Sequence, residues 1–229
     1  MLLACTSSHE SPRDSPATPA NCPGPDTVRG VDVSHWQGSV DWARVKGAGI
    51  GFVFARVSHG LEIQDTTFAR NWPALRSAGL VRGAYHYFRP SQDPLQQADL
   101  ALQLLDAAGG LQPGDLPPVL DVETAEGLAP SALQAAARAW LARVEARTGR
   151  KPILYCPPSM SSSLGTGFGD HPLWLAHWNV ACPTIPGGWS RWRFWQHSST
   201  GTVAGIQGAV DLDLWNGTLA DLQAFAAGP

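Results

Sequence analysis

Apolar runs and helical segments alternate along this chain, and that alternation restricts its fold more than any other feature. Five runs have the continuous apolar character of strands that are covered on both faces. They are residues 28–33, 50–57, 81–88, 118–123 and 152–156. Helical spacing follows the first four at 40–47, 66–78, 93–108 and 131–148, and a Ser/Gly-rich stretch with room for one short helix follows the fifth. Since β–α–β crossovers are right-handed, the pattern predicts parallel strands wound into a barrel.

The alternation ends in the last third of the chain. Residues 173–177, 192–197 and 210–212 predict three short strands with no substantial helix between them, and 219–227 predicts a final amphipathic helix. Eight strands suffice to close a barrel. We therefore predict an α/β fold, a modified TIM-like barrel of (β/α)5 followed by three strands with few or no helices. Active sites of such barrels lie at the C-terminal strand ends.

Acidic residues stand at the ends of three predicted strands. Asp121 and Glu123 end the fourth strand, and because residues two apart share a face, their side chains project together with Cα atoms about 6–7 Å apart. Asp32 ends the first strand and Asp211 the last. An isolated Asp-x-Glu pair more often only solvates a strand end. Three acid-tipped strands far apart in sequence instead predict one shared pocket.

Composition excludes several classes of partner. The net charge is −3 and there is no basic cluster, so nothing draws the chain to nucleic acid. Its 229 residues, 44% of them hydrophobic, suffice for one sizeable core. No apolar run reaches the roughly 18 residues needed to span a bilayer. We expect a monomer without a cofactor, and no His/Asp set has the spacing of a metal site.

The first 27 residues differ from the rest of the chain. Residues 7–25 are rich in Ser, Pro, Ala and Thr without apolar periodicity, which predicts a flexible tether, dispensable for chemistry, before a catalytic barrel at 28–229. The segment from Leu2 to Cys5 resembles the lipobox of bacterial lipoproteins, in which Cys5 would carry the lipid. A signal peptide also needs a basic and an apolar region, and only Met1 precedes the box. Either the true start lies upstream or the match is chance. The lipoprotein interpretation predicts an extracellular or cell-envelope location, with the membrane reached only through that anchor.

The four cysteines are Cys5, Cys22, Cys156 and Cys182. None has Cys-x-x-Cys spacing, so zinc and thioredoxin-type chemistry are not indicated. Cys156 and Cys182 each follow a predicted strand end, and adjacent strand ends would bring them into bridging range. A Cys156–Cys182 disulfide is therefore predicted for an oxidising compartment. The alternative is two unpaired buried thiols.

Six short motifs coincide with the predicted strands. They are GVDVSHWQG at 30–38, GAYHYF at 83–88, PVLDVE at 118–123, PLWLA at 172–176, FWQ at 194–196 and VDL at 210–212. In this order they resemble the motifs of family 25 glycoside hydrolases, the lysozyme-type N-acetylmuramidases, and they span nearly the whole predicted barrel. The resemblance implies an enzyme that cleaves the β-1,4 bond from N-acetylmuramic acid to N-acetylglucosamine in peptidoglycan.

The resemblance also implies catalytic roles. Glu123 matches the family's general acid, and a carboxylate at Asp121 would raise its pKa by like-charge repulsion. Asp121 would orient and stabilise the substrate's own 2-acetamido group as that group attacks the sugar. Asp32 and Asp211 match the family's other acids.

Five further residues are candidates for substrate binding: Tyr87, Tyr155, Trp174, Gln196 and Arg56. Packing inside the barrel is the alternative for the three aromatic residues, and a local strand-end cap is the alternative for Gln196.

Two segments depart from the family pattern. Where the family usually reads Lys-Ala-Thr-Glu-Gly, this chain has Arg-Val-Ser-His-Gly at 56–60, which retains a positive charge at Arg56 and lacks an acid at His59. Asp213 stands where the family generally has Asn and would add a negative charge near Asp211. These departures affect substrate preference and pH optimum, whereas the four central acids are intact.

Two other functions stay open at this point. A hydrolase acting on a chitin-like polymer would use the same acetamido-assisted chemistry. A catalytically retired barrel that only binds peptidoglycan belongs to a different class of protein. Retired enzymes usually lose an acid, and all four remain here.

Overall fold

The computed structural model describes residues 21–228, in which nine strands and six α-helices are present. The strands are β1 (Thr27–Val33), β2 (Phe52–His59), β3 (Ile63–Gln64), β4 (Val81–Tyr87), β5 (Val119–Asp121), β6 (Ile153–Cys156), β7 (Leu173–Ala176), β8 (Phe194–Gly201) and β9 (Val210–Asn216). The helices are α1 (Trp42–Gly47), α2 (Phe68–Ser77), α3 (Pro94–Ala107), α4 (Pro130–Thr148), α5 (Ser161–Leu164) and α6 (Leu219–Ala227). Short 3-10 turns lie at His35–Gln37 and Pro158–Met160.

Eight of the strands close into a barrel. Its order is β1-β2-β4-β5-β6-β7-β8-β9, and β1 closes the ring by pairing with both β2 and β9. β3 forms an antiparallel hairpin with the end of β2 outside the ring, which the sequence did not predict. One helix follows each of the first five barrel strands, and within residues 21–228 no helix separates β7, β8 and β9. The predicted (β/α)5 barrel with a helix-poor last third is confirmed.

Local sequence explains where several helices begin and end. The Asp41 carboxylate accepts a hydrogen bond from the Arg44 backbone N–H and caps α1. Asp93 caps α3 in the same way, and Pro94 occupies its first turn, where no backbone donor is needed. Gly149 ends α4 in the left-handed conformation at φ 66°, which glycine adopts without a side-chain clash.

β9 runs antiparallel to both of its neighbours, whereas the other neighbouring pairs of the ring are parallel. The sequence predicted only residues 210–212 as a strand here, with Asp211 at its C-terminal end. The observed strand has seven residues, and Asp211 lies near its start. Because the strand is reversed, its start lies at the same barrel edge as the C-terminal ends of the parallel strands.

Aromatic side chains fill the barrel interior. Phe54 stacks on Trp174 with ring centroids 4.2 Å apart, and Phe194 meets Phe54 edge-on at 5.0 Å. Gly30 makes room for this packing, because a Cβ at that position would lie 2.3 Å from the Phe52 ring. A second core lies between the strands and the helices. Since the interior is packed, a ligand has to bind at an edge of the barrel.

The disulfide joins Cys22 to Cys182, so the predicted Cys156–Cys182 bridge is wrong. Cys156 is a buried free thiol. It follows Tyr155, whose side chain belongs to the interior core, and strand alternation therefore directs Cys156 outward, into the core beneath the helices. There it is far from bridging geometry with a residue in the β7–β8 connection, where Cys182 lies.

The chain from residue 21 onward is bonded to the helix-free β7–β8 connection. The Asn21 side-chain amide donates to the Pro183 carbonyl at 2.8 Å, and Trp192 Nε1 donates to the Asn21 carbonyl at 2.8 Å. With the disulfide, these bonds hold the last residues of the predicted tether against the barrel, and β1 begins one residue earlier than predicted, at Thr27. Cys5 and the lipobox-like segment lie outside the described residues. None of the described helices has the length and apolar character that a membrane crossing requires.

Candidate active site

A cavity of about 240 Å³ opens at the barrel edge where the parallel strands end. It collects side chains from the first strand to the last, and every catalytic and substrate-binding residue predicted from the sequence lines it. These are Asp32, Asp121, Glu123 and Asp211 together with Tyr87, Tyr155, Trp174, Gln196 and Arg56. The prediction that the acid-tipped strands share one pocket is confirmed.

Asp32 and Asp211 face each other across the seam between β1 and β9, where they are register partners. Like charges directly opposite in a sheet repel. Burial raises the pKa of Asp32 well above its usual range, and the carboxyls of Asp213 and Asp211 raise it further. Burial also raises the pKa of Asp211. Both carboxyls therefore hold a proton more tightly than an ordinary aspartate.

Asp121 lies at the end of β5 between two tyrosines. The register pairs it with Tyr87 on β4 and with Tyr155 on β6. Its side chain is buried, and Oδ1 has no hydrogen-bond partner among residues 21–228. Burial raises the pKa of Asp121 well above its usual range, Glu123 raises it further and Arg56 lowers it. A buried carboxyl oxygen without a partner is costly unless a ligand supplies a donor, so this oxygen is placed to accept an N–H or O–H.

Glu123 stands at the mouth of the pocket, two residues beyond Asp121. Its side chain retains access to solvent, yet the pocket walls desolvate its carboxyl group, and this raises its pKa. The Asp211 carboxyl raises the pKa further, while the neighbouring Tyr155 hydroxyl lowers it. The direction agrees with the sequence prediction, but the cause differs. The like charge that acts on Glu123 comes from Asp211, and the repulsion from Asp121 that we predicted is expressed in the raised pKa of Asp121 itself.

Gln196 holds the Asp32 carboxyl in place. Its Nε2 donates to Asp32 Oδ2 at 2.7 Å, and its Oε1 accepts from the Tyr155 hydroxyl at 3.0 Å and from Trp178 Nε1 at 2.9 Å. The side chain is only 4% exposed. We predicted that Gln196 binds substrate, but its oxygen already accepts two hydrogen bonds. Its contacts are those of a residue that positions Asp32.

The predicted aromatic residues differ in how accessible their side chains are to a ligand. Trp174 is buried, and its Nε1 donates to Asp213 at 2.9 Å, so it serves the barrel interior as well as the pocket floor. Tyr155 is also buried, whereas Tyr87 is half-exposed at the wall. Tyr85, which we did not predict, lines the pocket beside Tyr87. The rule that residues two apart on a strand share a face would have identified it.

Two exposed tryptophans at the rim were also missed by the sequence analysis. Trp36 lies in the 3-10 turn after β1 and is 78% exposed, and Trp178 lies just after β7 and is 45% exposed. Large apolar side chains exposed beside a cavity are typical of binding surfaces. The sequence signal was available, since each Trp lies within three residues of a strand end that was predicted to border the site.

The arrangement combines two carboxyl groups of different character. Glu123 is accessible and holds its proton more tightly than an ordinary glutamate, whereas Asp121 is buried with an oxygen free to accept a hydrogen bond. Such a pair can protonate a leaving oxygen and stabilise the positive charge that then develops. Within residues 21–228, no group of three or more His, Cys, Asp or Glu side chains is placed to hold a metal ion.

Comparison with known proteins identifies the family. The sequence profile described as glycosyl hydrolases family 25 matches residues 31–206. The chain belongs to family 25. It is therefore a glycoside hydrolase, in agreement with the prediction from the motifs.

Relatives align over most of the family 25 chain. An uncharacterized protein, YegX, from Escherichia coli is 42% identical, covering 88% of this chain and 74% of its own length. Lysozyme M1 from Streptomyces globisporus is 38% identical, covering 87% of this chain and 71% of the relative. The crystal structure of the bacterial lysozyme from Streptomyces coelicolor superimposes with a TM-score of 0.82 at 37% identity, covering 89% of this chain and 99% of that chain.

The segment that departs from the family 25 pattern contributes Arg56 to the pocket lining. Arg56 is buried, and its Nε donates to Asp65 Oδ2 at 3.1 Å. Its positive charge lowers the pKa of Asp121. His59 packs on Tyr87 with ring centroids 4.1 Å apart. Burial lowers the pKa of His59, and Arg56 lowers it further, so the neutral imidazole is favoured where the family pattern has an acid.

Asp213, the other departure, does not lie at the rim. It is 1% exposed in the barrel interior, where it accepts the hydrogen bond from Trp174. Burial raises the pKa of Asp213 well above its usual range, and Asp211 raises it further. Burial favours the neutral acid and so opposes the negative charge near Asp211 that the sequence analysis expected. A neutral carboxyl group resembles the asparagine side chain of the family pattern in charge and in shape.

Proposed function

We propose that this family 25 hydrolase is an N-acetylmuramidase that cleaves the β-1,4 bond between N-acetylmuramic acid and N-acetylglucosamine in peptidoglycan. The observation that carries the proposal is the pairing of an accessible acid of raised pKa, Glu123, with the unpartnered buried oxygen of Asp121. The names of the relatives agree, since Lysozyme M1 and an N,O-diacetylmuramidase from Arthroderma benhamiae are among them.

Glu123 is proposed as the general acid. It would transfer its proton to the glycosidic oxygen as the bond from that oxygen to the sugar's C1 breaks. The raised pKa keeps the group protonated at a pH where an ordinary glutamate would be ionised. After the leaving sugar departs, C1 is bonded to the oxygen of the substrate's own 2-acetamido group. Water would attack C1 and break that bond while the Glu123 carboxylate takes a proton from the water, which restores the acid.

Asp121 is proposed to assist the substrate's 2-acetamido group. As the acetamido oxygen attacks C1, positive charge develops on the acetamido nitrogen, and its N–H becomes a stronger donor. Asp121 Oδ1 is free to accept that N–H. Burial raises the pKa of Asp121, which makes it a better proton acceptor than an ordinary aspartate, and the Arg56 charge, which lowers that pKa, favours the carboxylate form that this hydrogen bond uses.

The remaining acids and aromatic residues are proposed to bind and position. Asp32 would stand at the floor, held by Gln196, and Asp211 would keep the pKa of Glu123 high. Trp36 and Trp178 stand exposed at the rim, where sugar rings can stack on their faces. Tyr87 would form the wall between them and the acids.

Mass spectrometry of borohydride-reduced soluble products from purified peptidoglycan tests this function. Products ending in muramitol are expected. Products ending in glucosaminitol would instead indicate a glucosaminidase or a chitinase-like enzyme. Wall binding without products would indicate a retired barrel.

Glu123→Gln is the matched variant for the assignment of the acid. It preserves the shape of the side chain, so wall binding should remain while hydrolysis falls by about 10³-fold or more, as expected when a general acid and its charge are removed. Glu62→Gln is the control, because Glu62 is an exposed glutamate outside the pocket lining. If Glu123→Gln and Glu62→Gln hydrolysed walls equally well, the assignment of Glu123 would be wrong.

Peptidoglycan as substrate further suggests where the enzyme works. We propose an extracellular or cell-envelope location and a monomeric enzyme. The Cys22–Cys182 disulfide supports an oxidising compartment. A lipid on Cys5 would hold the barrel at a membrane surface, and release of the protein by detergent but not by salt would test that anchor.

A further inference from the structure

A second cavity, of about 250 Å³, lies at the opposite end of the barrel from the acids. It is bounded by the connection before β7 and by the connection before β8, so it opens at the N-terminal ends of parallel strands. We call it the base pocket. Its lining consists of residues 169–173, 189–191 and Arg193. In barrels of this type the N-terminal end contributes stability and not catalysis, so the side chains in this pocket need an explanation of their own.

Two arginines in the base pocket are not neutralised by the protein. Arg191 is exposed and Arg193 is half-buried. Across residues 21–228 neither guanidinium has an ion pair or a hydrogen bond to a protein acceptor. Both line the same cavity. Burial lowers the pKa of Arg193, and the positive charge of Arg191 lowers it further.

The acidic groups near the base pocket have partners already. Asp170, the one carboxylate in the pocket lining, is bound by Lys151 Nζ at 2.8 Å. Asp115, on the same side of the barrel, is buried and receives two hydrogen bonds from Arg82. Neither carboxylate makes an ion pair with Arg191 or Arg193, so the pocket retains an excess of positive charge.

Side-chain contacts fix the walls of the base pocket. The Arg193 guanidinium lies over the rings of Trp215 and Phe225, 5.8 and 5.9 Å from their centroids. Trp189 is fixed by the hydrogen bond from its Nε1 to the His171 carbonyl at 2.8 Å. These contacts restrain the Arg193 side chain and the Trp189 ring within the wall of the pocket.

We propose that the base pocket is an oxyanion site that binds a phosphate group. Two guanidinium forks can each donate two parallel N–H bonds, and a phosphate has enough oxygens to accept from both, whereas one carboxylate is satisfied by a single fork. The Ser190 hydroxyl lines the same pocket and adds a neutral donor. Free phosphate and the phosphodiester of an anionic polymer both present this group. Because the pocket faces away from the acids, its ligand is bound while the sugar site stays open.

Calorimetric titration of the full chain with inorganic phosphate tests the site. Arg191→Gln and Arg193→Gln should each weaken phosphate binding at least tenfold. Arg44→Gln is the matched control, since Arg44 is exposed and its side chain makes no hydrogen bond or ion pair among the described residues. Its affinity should stay within twofold of the wild type. If Arg193→Gln does not fold, because Arg193 packs on aromatic rings, the exposed Arg191→Gln decides alone.

A second titration, with poly(glycerol phosphate), distinguishes the two sources. Binding at least tenfold tighter than that of inorganic phosphate, and lost in Arg191→Gln, assigns the site to a phosphodiester polymer. Equal affinity for both assigns it to free phosphate. Absence of saturable phosphate binding, or equal weakening in Arg44→Gln, would overturn the proposal. These readouts do not measure hydrolysis, so they are independent of the proposed muramidase function.

Discussion

The Cys22–Cys182 disulfide should contribute a large part of the stability of the barrel, because the loop that it closes contains the chain from β1 to β7. The two cysteines are separated by 160 residues in sequence. For a loop of this length, the chain-entropy model gives a stabilisation of about 5 kcal/mol, and removal of native disulfides typically costs about 2–5 kcal/mol. We therefore expect Cys22→Ser and Cys182→Ser each to lower the free energy of unfolding by about 2–5 kcal/mol. A chain that begins at Val28 lacks Cys22 and also the Asn21 hydrogen bonds, so it should lose at least this amount.

Urea unfolding followed by tryptophan fluorescence, with and without a thiol reductant, measures this effect. The reductant should shift the wild-type midpoint to that of Cys22→Ser and should leave Cys22→Ser unchanged. Cys156→Ala is the control, because Cys156 is buried and free. It should lose some packing energy and remain sensitive to reductant.

The opposite pattern would refute the pairing. If Cys156→Ala abolished the effect of the reductant while Cys22→Ser kept it, Cys156 would be the partner of Cys182, as the sequence alone suggested. If the urea midpoint of the wild type did not change with reductant, the disulfide would contribute nothing measurable to the stability of the barrel.

Three further predictions concern the pocket. Asp213→Asn should become more stable relative to the wild type as pH rises from about 4, because the native wild type retains a proton on Asp213 that the unfolded chain releases. The difference in unfolding free energy should grow by about 1.4 kcal/mol per pH unit in that window. A constant difference between the two urea midpoints at every pH would contradict this prediction. Trp36→Ala should raise KM for peptidoglycan fragments several-fold with little change in Tm, since 78% of the side chain is already exposed; initial-rate kinetics showing a fall in kcat alone would oppose a binding role. Gln196→Glu places a carboxylate against Asp32, so kcat should fall about 10–100-fold with a shifted pH profile, whereas a raised KM with intact kcat would restore the substrate-binding interpretation.

Much of the fold was predictable because it depends on local sequence. Each of the first four strands is a continuous apolar run followed by a helix with recognisable end signals, such as the cap at Asp93 and the left-handed Gly149. The direction of β9 was not predictable in the same way. No helix lies between β8 and β9, so the connection does not require a parallel crossover. The direction of β9 depends instead on its pairing with β1, which is far away in sequence.

Prediction of the site likewise succeeded where it depended on local sequence and failed where it depended on distant contacts. Strand alternation correctly placed Asp121 and Glu123 in one pocket, because that rule operates within a single strand. It would also have directed Cys156 away from the interior, but the disulfide prediction used proximity of strand ends and ignored which face the side chain takes. The hydrogen bonds of Gln196 and the burial of Asp213 depend on neighbours from other strands, and no local pattern contains that information.

The seam between β1 and β9 joins the first strand of the ring to the last. Its pairing brings Asp32 opposite Asp211 and Gly30 opposite Asp213. Closing the seam is the longest-range contact that the ring requires, and long loops are costly to close during folding. The three carboxyls that meet there have raised pKa values, so closure takes up protons, and the closed barrel should lose stability as pH rises. Closure also places Asp211 where its charge raises the pKa of Glu123, so the contact that completes the ring also prepares the acid.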